Sequence, residues 1–161
     1  MTIPTLRIEN LRLGFKSWSG TSEVLHGISL HIKKGERVAL VGESGSGKSV
    51  TARIVLGMLQ SLKTARISGT VEFEGTDLEK LRYAERHMLR GTRMSMIFQD
   101  PTSSLNPVYT IFTQFKEVLE RAEPGIGNDA ARRRASEALR DVSINEPDRV
   151  LDSYAFQLSG G

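Results

Sequence analysis

Cysteine is absent from the sequence, so no disulfide bond stabilises the fold, and a reducing compartment suits the chain. A strong excess of one charge is absent too. Lys and Arg number 22 against 19 Asp and Glu, and the net charge of +3 is too small to indicate a nucleic-acid partner. No apolar run approaches the ~20 residues that cross a bilayer, and the N-terminus lacks the charged-then-apolar pattern of a secretory signal. We therefore expect any membrane association to depend on a partner protein.

The stretch from residue 36 to residue 59 is the most informative part of the sequence. Residues 37–41 (Arg-Val-Ala-Leu-Val) predict a buried strand, and residues 50–56 predict a helix. Between them, Gly-Glu-Ser-Gly-Ser-Gly-Lys-Ser at 42–49 fits the pattern G-x-x-x-x-G-K-[ST]. A glycine loop that joins a strand to a helix is the context in which this pattern binds phosphate.

The residue types in this loop suit a nucleoside triphosphate with its magnesium ion. Glycines let the backbone curl until its N–H groups face a phosphate, and the positive end of the helix dipole adds to the attraction. Lys48 brings a mobile charge, and the Ser49 hydroxyl suits Mg²⁺, which prefers oxygen ligands. The alternative is a glycine-rich turn that binds nothing. The residues predicted to hold ATP in this loop are Gly42, Glu43, Ser44, Gly45, Ser46, Gly47, Lys48, Ser49 and Val50.

Two stretches upstream predict antiparallel strands. Residues 3–13 and 27–32 alternate between apolar and polar side chains, and a polar turn is expected at 16–22. The ring of Phe15 or Trp18 is a candidate for stacking on adenine, because stacking requires no particular hydrogen-bond pattern. The alternative for either ring is to cover the edge of the sheet.

The pattern downstream predicts the rest of an α/β core. Residues 66–75 alternate like another strand, and Asp77 is a suitable N-cap for a helix through residue 90. Residues 94–98 (Met-Ser-Met-Ile-Phe) predict a short core strand. Ligands bind at the carboxyl ends of parallel strands, so Gln99 and Asp100 are expected at the same sheet edge as the glycine loop.

Helical spacing dominates from residue 107 onward. Apolar residues recur in helix register over 111–122, residues 124–128 interrupt the pattern, and a second helix is expected from Asp129. Its arginine run at 132–134 is interpreted as a solvated face, with phosphate sensing as the alternative. We therefore predict two parts: residues 1–100 form the antiparallel sheet and a partial phosphate-loop core, and residues 101–161 form a partial helical subdomain.

Three stretches taken together resemble a known family. The loop at 42–49, the run Met-Ser-Met-Ile-Phe-Gln-Asp-Pro at 94–101 and Gln-Leu-Ser-Gly-Gly at 157–161 are similar to Walker A, the Q-loop and the start of the LSGGQ signature in nucleotide-binding subunits of ATP-binding cassette (ABC) transporters. The continuation of the middle run to residue 107 (Thr-Ser-Ser-Leu-Asn-Pro) resembles the oligopeptide, dipeptide and nickel permease branch. The resemblance implies an α/β P-loop NTPase fold, truncated here, with a RecA-like core, an N-terminal antiparallel sheet and an appended α-helical subdomain.

The resemblance also implies roles for individual residues. Lys48 and Gln99 would take part in ATP hydrolysis, and Ser49 with Gln99 would ligate Mg²⁺. Phe15 stands where the family has an aromatic that stacks on adenine. Ser159, Gly160 and Gly161 would contact ATP held by a second cassette.

The same resemblance implies partners and a location. A second ABC ATPase subunit, identical or different, would pair head-to-tail with this one around two nucleotides. Transmembrane permease subunits would use the hydrolysis of Mg-ATP to import peptides or similar small solutes, and an extracytoplasmic solute-binding protein would act indirectly. The subunit would then lie at the cytoplasmic face of the cell's inner membrane, as a peripheral protein.

The sequence also departs from the family pattern. The fifth signature residue, the acidic Walker B strand end, the catalytic Glu and the switch His have no counterpart in these 161 residues. His26, His31 and His87 cannot replace that histidine, because all three precede Gln99. We expect a fragment that keeps phosphate-loop binding but hydrolyses ATP negligibly.

Three other interpretations remain open at this point. A small P-loop kinase would use Asp100 for Mg²⁺ and the arginine run as a lid, but it leaves the N-terminal strands and the C-terminal motif unexplained. A soluble cassette ATPase that acts on DNA or ribosomes would be expected to carry a large insertion or a second cassette. The last interpretation is an interaction module within a longer chain.

Overall fold

Alternating apolar residues form an antiparallel sheet early in the chain. The computed structural model describes residues 3–99 and 104–158, and the chain divides into two compact units, Met1–Ser95 and Met96–Gly161. The strands of the first unit are β1 (Leu6–Ser17), β2 (Gly20–Ile32), β3 (Ala65–Phe73) and β4 (Thr76–Asp77). Their order across the sheet is β2-β1-β3-β4. The predicted division at residue 100 stays a prediction.

The first two strands are longer than their sequence patterns predict. β1 and β2 continue through the expected polar turn, so that only Trp18 and Ser19 lie between them. Ser17 pairs with Gly20, and Ser17 Oγ donates a hydrogen bond to the carbonyl of Gly20 at 3.1 Å. The ladder extends here because backbone groups pair with each other whatever the polarity of their side chains.

The inner face of this sheet carries the core of the first unit. Leu11, Leu13 and Leu25 are at most 1% exposed, and Leu13 lies opposite Leu25 across the ladder of β1 and β2. Helix α1 (Lys48–Val55) contributes Ile54, which is fully buried in the same cluster. Burial of each such side chain contributes roughly 1.5–3 kcal/mol. The sheet and the helix that follows the glycine loop therefore stabilise each other.

Two of the predicted strands are wrong. Residues 37–41 and 94–98 are not strands, apart from one isolated bridge between Met94 and Arg90. Val41 is 88% exposed. A short apolar run indicates burial, but a strand also needs a neighbour that pairs with its backbone groups. Within residues 3–99 and 104–158, neither run lies beside a strand that pairs along its length.

The helix predicted over residues 77–90 is divided. Asp77 is an N-cap as predicted, since its Oδ1 accepts a hydrogen bond from the backbone two residues on at 3.0 Å. The backbone then becomes extended, and a new helix begins after Arg82, whose N–H donates to the Glu85 carboxylate at 2.9 Å. The two helical pieces are a 3₁₀ turn, Leu78–Lys80, and α2, Tyr83–Leu89.

Helices build the second unit, as the sequence predicts. They are α3 (Ile111–Ala122), α4 (Asn128–Asp141) and α5 (Pro147–Asp152), followed by a 3₁₀ turn at Ala155–Gln157. Thr110 caps α3 by accepting a hydrogen bond from the N–H of Thr113 at 3.3 Å. The core of this unit consists of Ile111, Ala135, Leu139, Val150 and Leu151. Over the described residues, every helix is too short or too polar to reach across a bilayer.

The arginine run on α4 is only partly a solvated face. Arg133 is exposed, as predicted. Arg132, however, contacts both carboxylate oxygens of Asp152 on α5, at 2.9 and 2.8 Å. Its guanidinium also lies 5.4 Å from the ring centroid of Phe112 on α3. One side chain therefore links the three helices of this unit.

This contact predicts an acid-dependent stability of the second unit. Hydrogen bonding to Arg132 lowers the pKa of the Asp152 carboxyl. Because the folded-state pKa is the lower one, the stabilising contribution is present above the ordinary pKa of about 4 and is lost as the pH falls through the folded-state value. Asp152→Asn should therefore lower the urea midpoint of the helical circular dichroism at neutral pH and have a smaller effect at acid pH, below the ordinary carboxyl pKa of about 4.

Asp141 at the end of α4 provides the matched control. It is exposed and forms no contact with Arg132, so Asp141→Asn should leave the midpoint almost unchanged at both pH values. An equal effect of Asp152→Asn at both pH values would contradict the role given to its carboxylate.

Candidate phosphate-binding loop

The glycine loop turns back on itself before α1 begins. Gly45 and Gly47 have φ angles of +84° and +90°, which glycine adopts without the strain that a side chain would cause. The N–H of Ser46 donates to the carbonyl of Glu43 at 3.2 Å and closes the turn between the two glycines. The glycine spacing of the sequence motif therefore coincides with the backbone conformations that the loop requires.

Lys48 closes the loop from inside. Its Nζ donates to the carbonyls of Gly42 and Glu43 at 2.7 and 2.6 Å and lies 3.2 Å from Ser46 Oγ. These are charge-assisted hydrogen bonds, which are stronger than neutral ones. A single ammonium group thus joins the start of the loop to its far side and concentrates positive charge there.

The first turn of α1 leaves donors available for an anion. Gly47 is the N-cap and has no side chain to accept hydrogen bonds, and the turn contains no acidic residue. The first intrahelical bond runs from the N–H of Thr51 to the carbonyl of Gly47 at 2.8 Å. The N–H groups of residues 48–50 precede it and have no partner within the helix. An uncapped, positively polarised helix end fits a phosphate group.

The glycines of the loop differ in the space around them. A Cβ at Gly42 would lie 2.7 Å from Ser46 Oγ, whereas a Cβ at Gly45 would meet nothing within 4 Å. One side of the loop is therefore packed and the other is open. Ser49 is exposed beside it, so its hydroxyl suits a magnesium ion that accompanies a triphosphate. Val50 points the other way and packs against the core.

Thr51 is a supporting residue that the motif alone does not identify. It is 3% exposed, and its Oγ1 donates to the Gly47 carbonyl at 3.0 Å, beside the bond from its own N–H. Both bonds hold the carbonyl of Gly47 in the helix direction. The sign of this role in the sequence is that Thr51 is a polar residue at a position of the predicted helix where the pattern is otherwise apolar.

Phe15 and Trp18 occupy different environments. Phe15 is half-buried on β1, opposite Ser22 and Ala65, and packs against the first core. Trp18 is fully exposed in the turn between β1 and β2. Both the stacking role and the edge-covering role of these rings stay predictions, although the packing of Phe15 already gives it a structural task.

Gln99 belongs to the second unit, and its side chain is exposed. Asp100 lies outside the described residues. Further along, Gln114 on α3 organises the loop: its Nε2 donates to the carbonyl of Asn106 at 3.1 Å, and its Oε1 accepts from the N–H of Asn106 at 2.9 Å. Gln114 also donates to the carbonyl of Tyr109 at 3.2 Å. Nothing in the sequence pattern indicates this role, because the contacts depend on how the loop folds back on the helix.

The predicted signature residues Ser159, Gly160 and Gly161 lie outside the described residues. Leu158, which precedes them, packs against the core of the second unit. The 3₁₀ turn before it is held by the Gln157 side chain, whose Oε1 accepts a hydrogen bond from the N–H of Tyr154 at 2.8 Å. The segment that leads to the signature is therefore anchored up to residue 158.

Comparison with known proteins identifies the family. The family profile described as "ABC transporter" matches residues 25–161, which include the glycine loop and Gln99. The chain belongs to the ABC transporter family, and the resemblance drawn from its three motifs is confirmed.

Curated relatives carry the names of peptide transport proteins, which confirms the predicted branch resemblance. "Oligopeptide transport ATP-binding protein OppD" of Mycobacterium tuberculosis (strain ATCC 25618 / H37Rv) is 40% identical over 158 residues, covering 98% of this chain and 26% of that protein. "Probable D,D-dipeptide transport ATP-binding protein DdpD" of Escherichia coli (strain K12) is 38% identical over 161 residues, covering 100% of this chain and 49% of that protein. The chain thus spans between about a quarter and a half of the length of these relatives.

Solved structures share the fold. The dimeric structure of MJ0796, a bacterial ABC transporter cassette, matches with a TM-score of 0.78 and 25% identity, covering 96% of this chain and 63% of that one. A bacterial Atm1-family ABC exporter with ATP bound matches with a TM-score of 0.60 and 23% identity, covering 99% of this chain and 25% of that one. The predicted fold class, an α/β P-loop NTPase with an antiparallel sheet and a helical subdomain, is confirmed.

Proposed function

We propose that this chain is part of the ATP-binding subunit of an ABC transporter that imports peptides or similar small solutes. The observation that carries the proposal is the loop at 42–49, in which the ammonium of Lys48 is held by the carbonyls of Gly42 and Glu43 and the first turn of α1 has no side-chain cap. Positive charge and free N–H donors in one place are what a triphosphate requires.

Each residue of the loop then has a task. The backbone N–H groups of residues 48–50 hold the phosphates, and Lys48 neutralises their charge. Ser49 is proposed to offer a hydroxyl oxygen to Mg²⁺, and Gln99 is the second proposed ligand, as the family resemblance implies. Bound Mg-ATP supplies the phosphoanhydride bond whose hydrolysis drives transport. Phe15 is the proposed contact for adenine.

Partners follow from the family and from the relatives. We propose a head-to-tail pair with a second cassette, whose nucleotide would meet Ser159, Gly160 and Gly161. Transmembrane permease subunits would contact the loop that Gln114 holds, residues 104–109, and the whole subunit would lie at the cytoplasmic face of the membrane. Peptides are the proposed cargo because the matched relatives are named for oligopeptide and dipeptide transport.

The comparisons do not favour the kinase and soluble-cassette alternatives. The family match extends over both units of the chain, whereas a small kinase would leave the helical unit and the antiparallel sheet without a task. A soluble cassette and a transporter subunit can be distinguished by the genes that surround them. Neighbouring genes for two multi-span membrane proteins and an extracytoplasmic binding protein would support import, and their absence would count against it.

Titration of the 161-residue chain with Mg-ATP tests the proposed binding. We expect ATP and ADP to compete with a fluorescent ATP analogue, and adenosine to compete much more weakly, because the loop contacts phosphates and not the nucleoside. Equal competition by adenosine and ATP would contradict phosphate recognition. So would a failure of the analogue to bind at all.

Hydrolysis is expected to be far weaker than binding. A positioned general base contributes about 10²- to 10⁴-fold in rate, and the catalytic Glu of the family has no counterpart in these residues. The chain should therefore release phosphate at least about 10²-fold more slowly than a longer cassette from the same branch. Turnover close to that of the longer cassette would contradict this expectation.

A further inference from the structure

The end of α1 opposite the glycine loop is covered by two arginines from the α2 region. Arg86 donates to the carbonyl of Ile54 at 2.9 Å. Arg90 donates to the carbonyls of Leu56 and Gly57 at 2.6 and 2.7 Å. The carbonyl of Ile54 also accepts from the N–H of Gly57 at 2.8 Å and from Gln60 Nε2 at 3.1 Å, whereas the carbonyls of Leu56 and Gly57 follow the last helical residue, where acceptors lack intrahelical partners. Two cations therefore complement the negative end of the same helix whose positive end faces the phosphate loop.

Arg86 is almost fully buried at this position and has a charged partner. Its side chain is 8% exposed, and it pairs with the half-exposed carboxylate of Glu79 at 2.9 Å. The neighbouring Gly57 leaves room for it, because a Cβ there would lie 2.5 Å from Arg86 Nε and 3.0 Å from an Arg90 nitrogen. The packing of the two guanidinium groups thus depends on a glycine at the end of the helix.

Arg90 differs from an ordinary ion-paired arginine. Among the residues that the structure describes, no carboxylate pairs with it, and its guanidinium donates to the two backbone carbonyls. A planar guanidinium can span two acceptors at once, which a lysine cannot do in the same way. Its position is therefore set by the end of α1.

The backbone of Arg90 leads directly to the segment that carries Gln99. Arg90 forms a bridge with Met94, and the N–H of Gly91 donates to the carbonyl of Met94 at 2.8 Å. Met94 packs against the first core. The segment that enters the predicted Q-loop thus begins at a point held by the helix of the phosphate loop.

We propose that Arg86 and Arg90 are positioning residues for nucleotide. Their hydrogen bonds to the C-terminal end of α1 set the placement of the phosphate loop and couple it to the segment leading to Gln99. The helix has eight residues and is about 12 Å long. A displacement of one end therefore moves the other end by nearly the same amount. This inference rests on the proposed function, binding of Mg-ATP at the loop.

Arg90→Gln tests the proposal, with Arg82→Gln as the matched control. Arg82 flanks the same α2 but pairs with Glu85 on the surface and does not contact α1. Amide resonances of the isotope-labelled 161-residue chain are recorded without nucleotide. We expect Arg90→Gln to shift the amides of Gly45, Gly47 and Ser49, and Arg82→Gln to leave them in place. The proposal is overturned if Arg90→Gln shifts only resonances near residues 54–58.

Nucleotide affinity gives the second measurement. The Kd for Mg-ATP should rise roughly 2- to 30-fold in Arg90→Gln, with Arg90→Lys between it and the wild type, since lysine keeps the charge but not the two-carbonyl contact. An unchanged Kd in Arg90→Gln overturns the coupling. If the wild-type chain does not bind Mg-ATP, the proposed function fails, whereas the resonances without nucleotide still decide whether the arginines position the loop.

A second pair of variants covers the case in which Arg90→Gln does not fold. Gly57→Ala would displace both guanidinium groups, whereas Gly35→Ala adds a methyl group at a similar φ, +75° against +69°, with nothing within 4 Å. Gly57→Ala should shift the amides of residues 45–49, and Gly35→Ala should leave them in place. Equal spectra for the two glycine variants at residues 45–49 would overturn the proposal.

Discussion

Lys48→Ala is expected to weaken binding of Mg-ATP by roughly 10- to 100-fold, because a hydrogen bond to a charged group contributes about 1.5–3 kcal/mol. The structure adds a second reason for a large effect. The Lys48 ammonium holds the carbonyls of Gly42 and Glu43 together, so its removal also loosens the loop that presents the N–H groups. Isothermal titration of the wild-type and variant chains with Mg-ATP measures the difference.

Two further substitutions test whether the Lys48 ammonium itself is responsible. Lys48→Met keeps most of the side-chain stem but removes the charge, so its Kd should match that of Lys48→Ala. Lys34→Ala removes an exposed lysine of the same unit outside the loop and should leave the Kd unchanged. An affinity of Lys48→Ala within about twofold of the wild type would contradict phosphate binding by this loop.

The local part of the candidate site could be predicted from sequence. Glycine positions, the lysine and the start of α1 all belong to one short stretch, in which each backbone conformation depends on its own residue. The positive φ of Gly47 and the helix that begins at Lys48 are therefore as the motif implies. The antiparallel sheet was predictable for a similar reason, since a rough alternation of apolar and polar residues along β1 and β2 leaves one buried face.

The parts that depend on distant residues could not be predicted. Residues 94–98 look like a core strand, yet Ile97 is 92% exposed, because an apolar run does not by itself supply a pairing partner. The contacts of Arg86 and Arg90 with α1 cross 32 to 34 residues of sequence. In a linear pattern both arginines look like ordinary polar residues of a surface helix, and only packing shows that they are covered.

Gly47 connects the stability of the first unit with its function, and Gly47→Ala is expected to damage both. Its φ of +90° costs a residue with a side chain about 1–3 kcal/mol. In addition, a Cβ there would lie 2.3 Å from Leu25 Cδ2, in a core position that is 1% exposed, and such overpacking costs about 1–3 kcal/mol more. The expected loss of stability is therefore about 2–6 kcal/mol.

Gly45→Ala separates the cost of the steric clash with Leu25 from the cost of the positive φ angle. Gly45 has nearly the same φ, +84°, but a Cβ there meets nothing within 4 Å, so only the conformational cost of about 1–3 kcal/mol applies. Both variants should lose affinity for Mg-ATP, since both disturb the N–H groups that face the phosphate, but only Gly47→Ala should also lower the urea midpoint strongly. Equal midpoints for the two variants would mean that Leu25 moves aside without cost. The buried contact between the loop and the sheet would then not be what holds the phosphate-binding backbone in place.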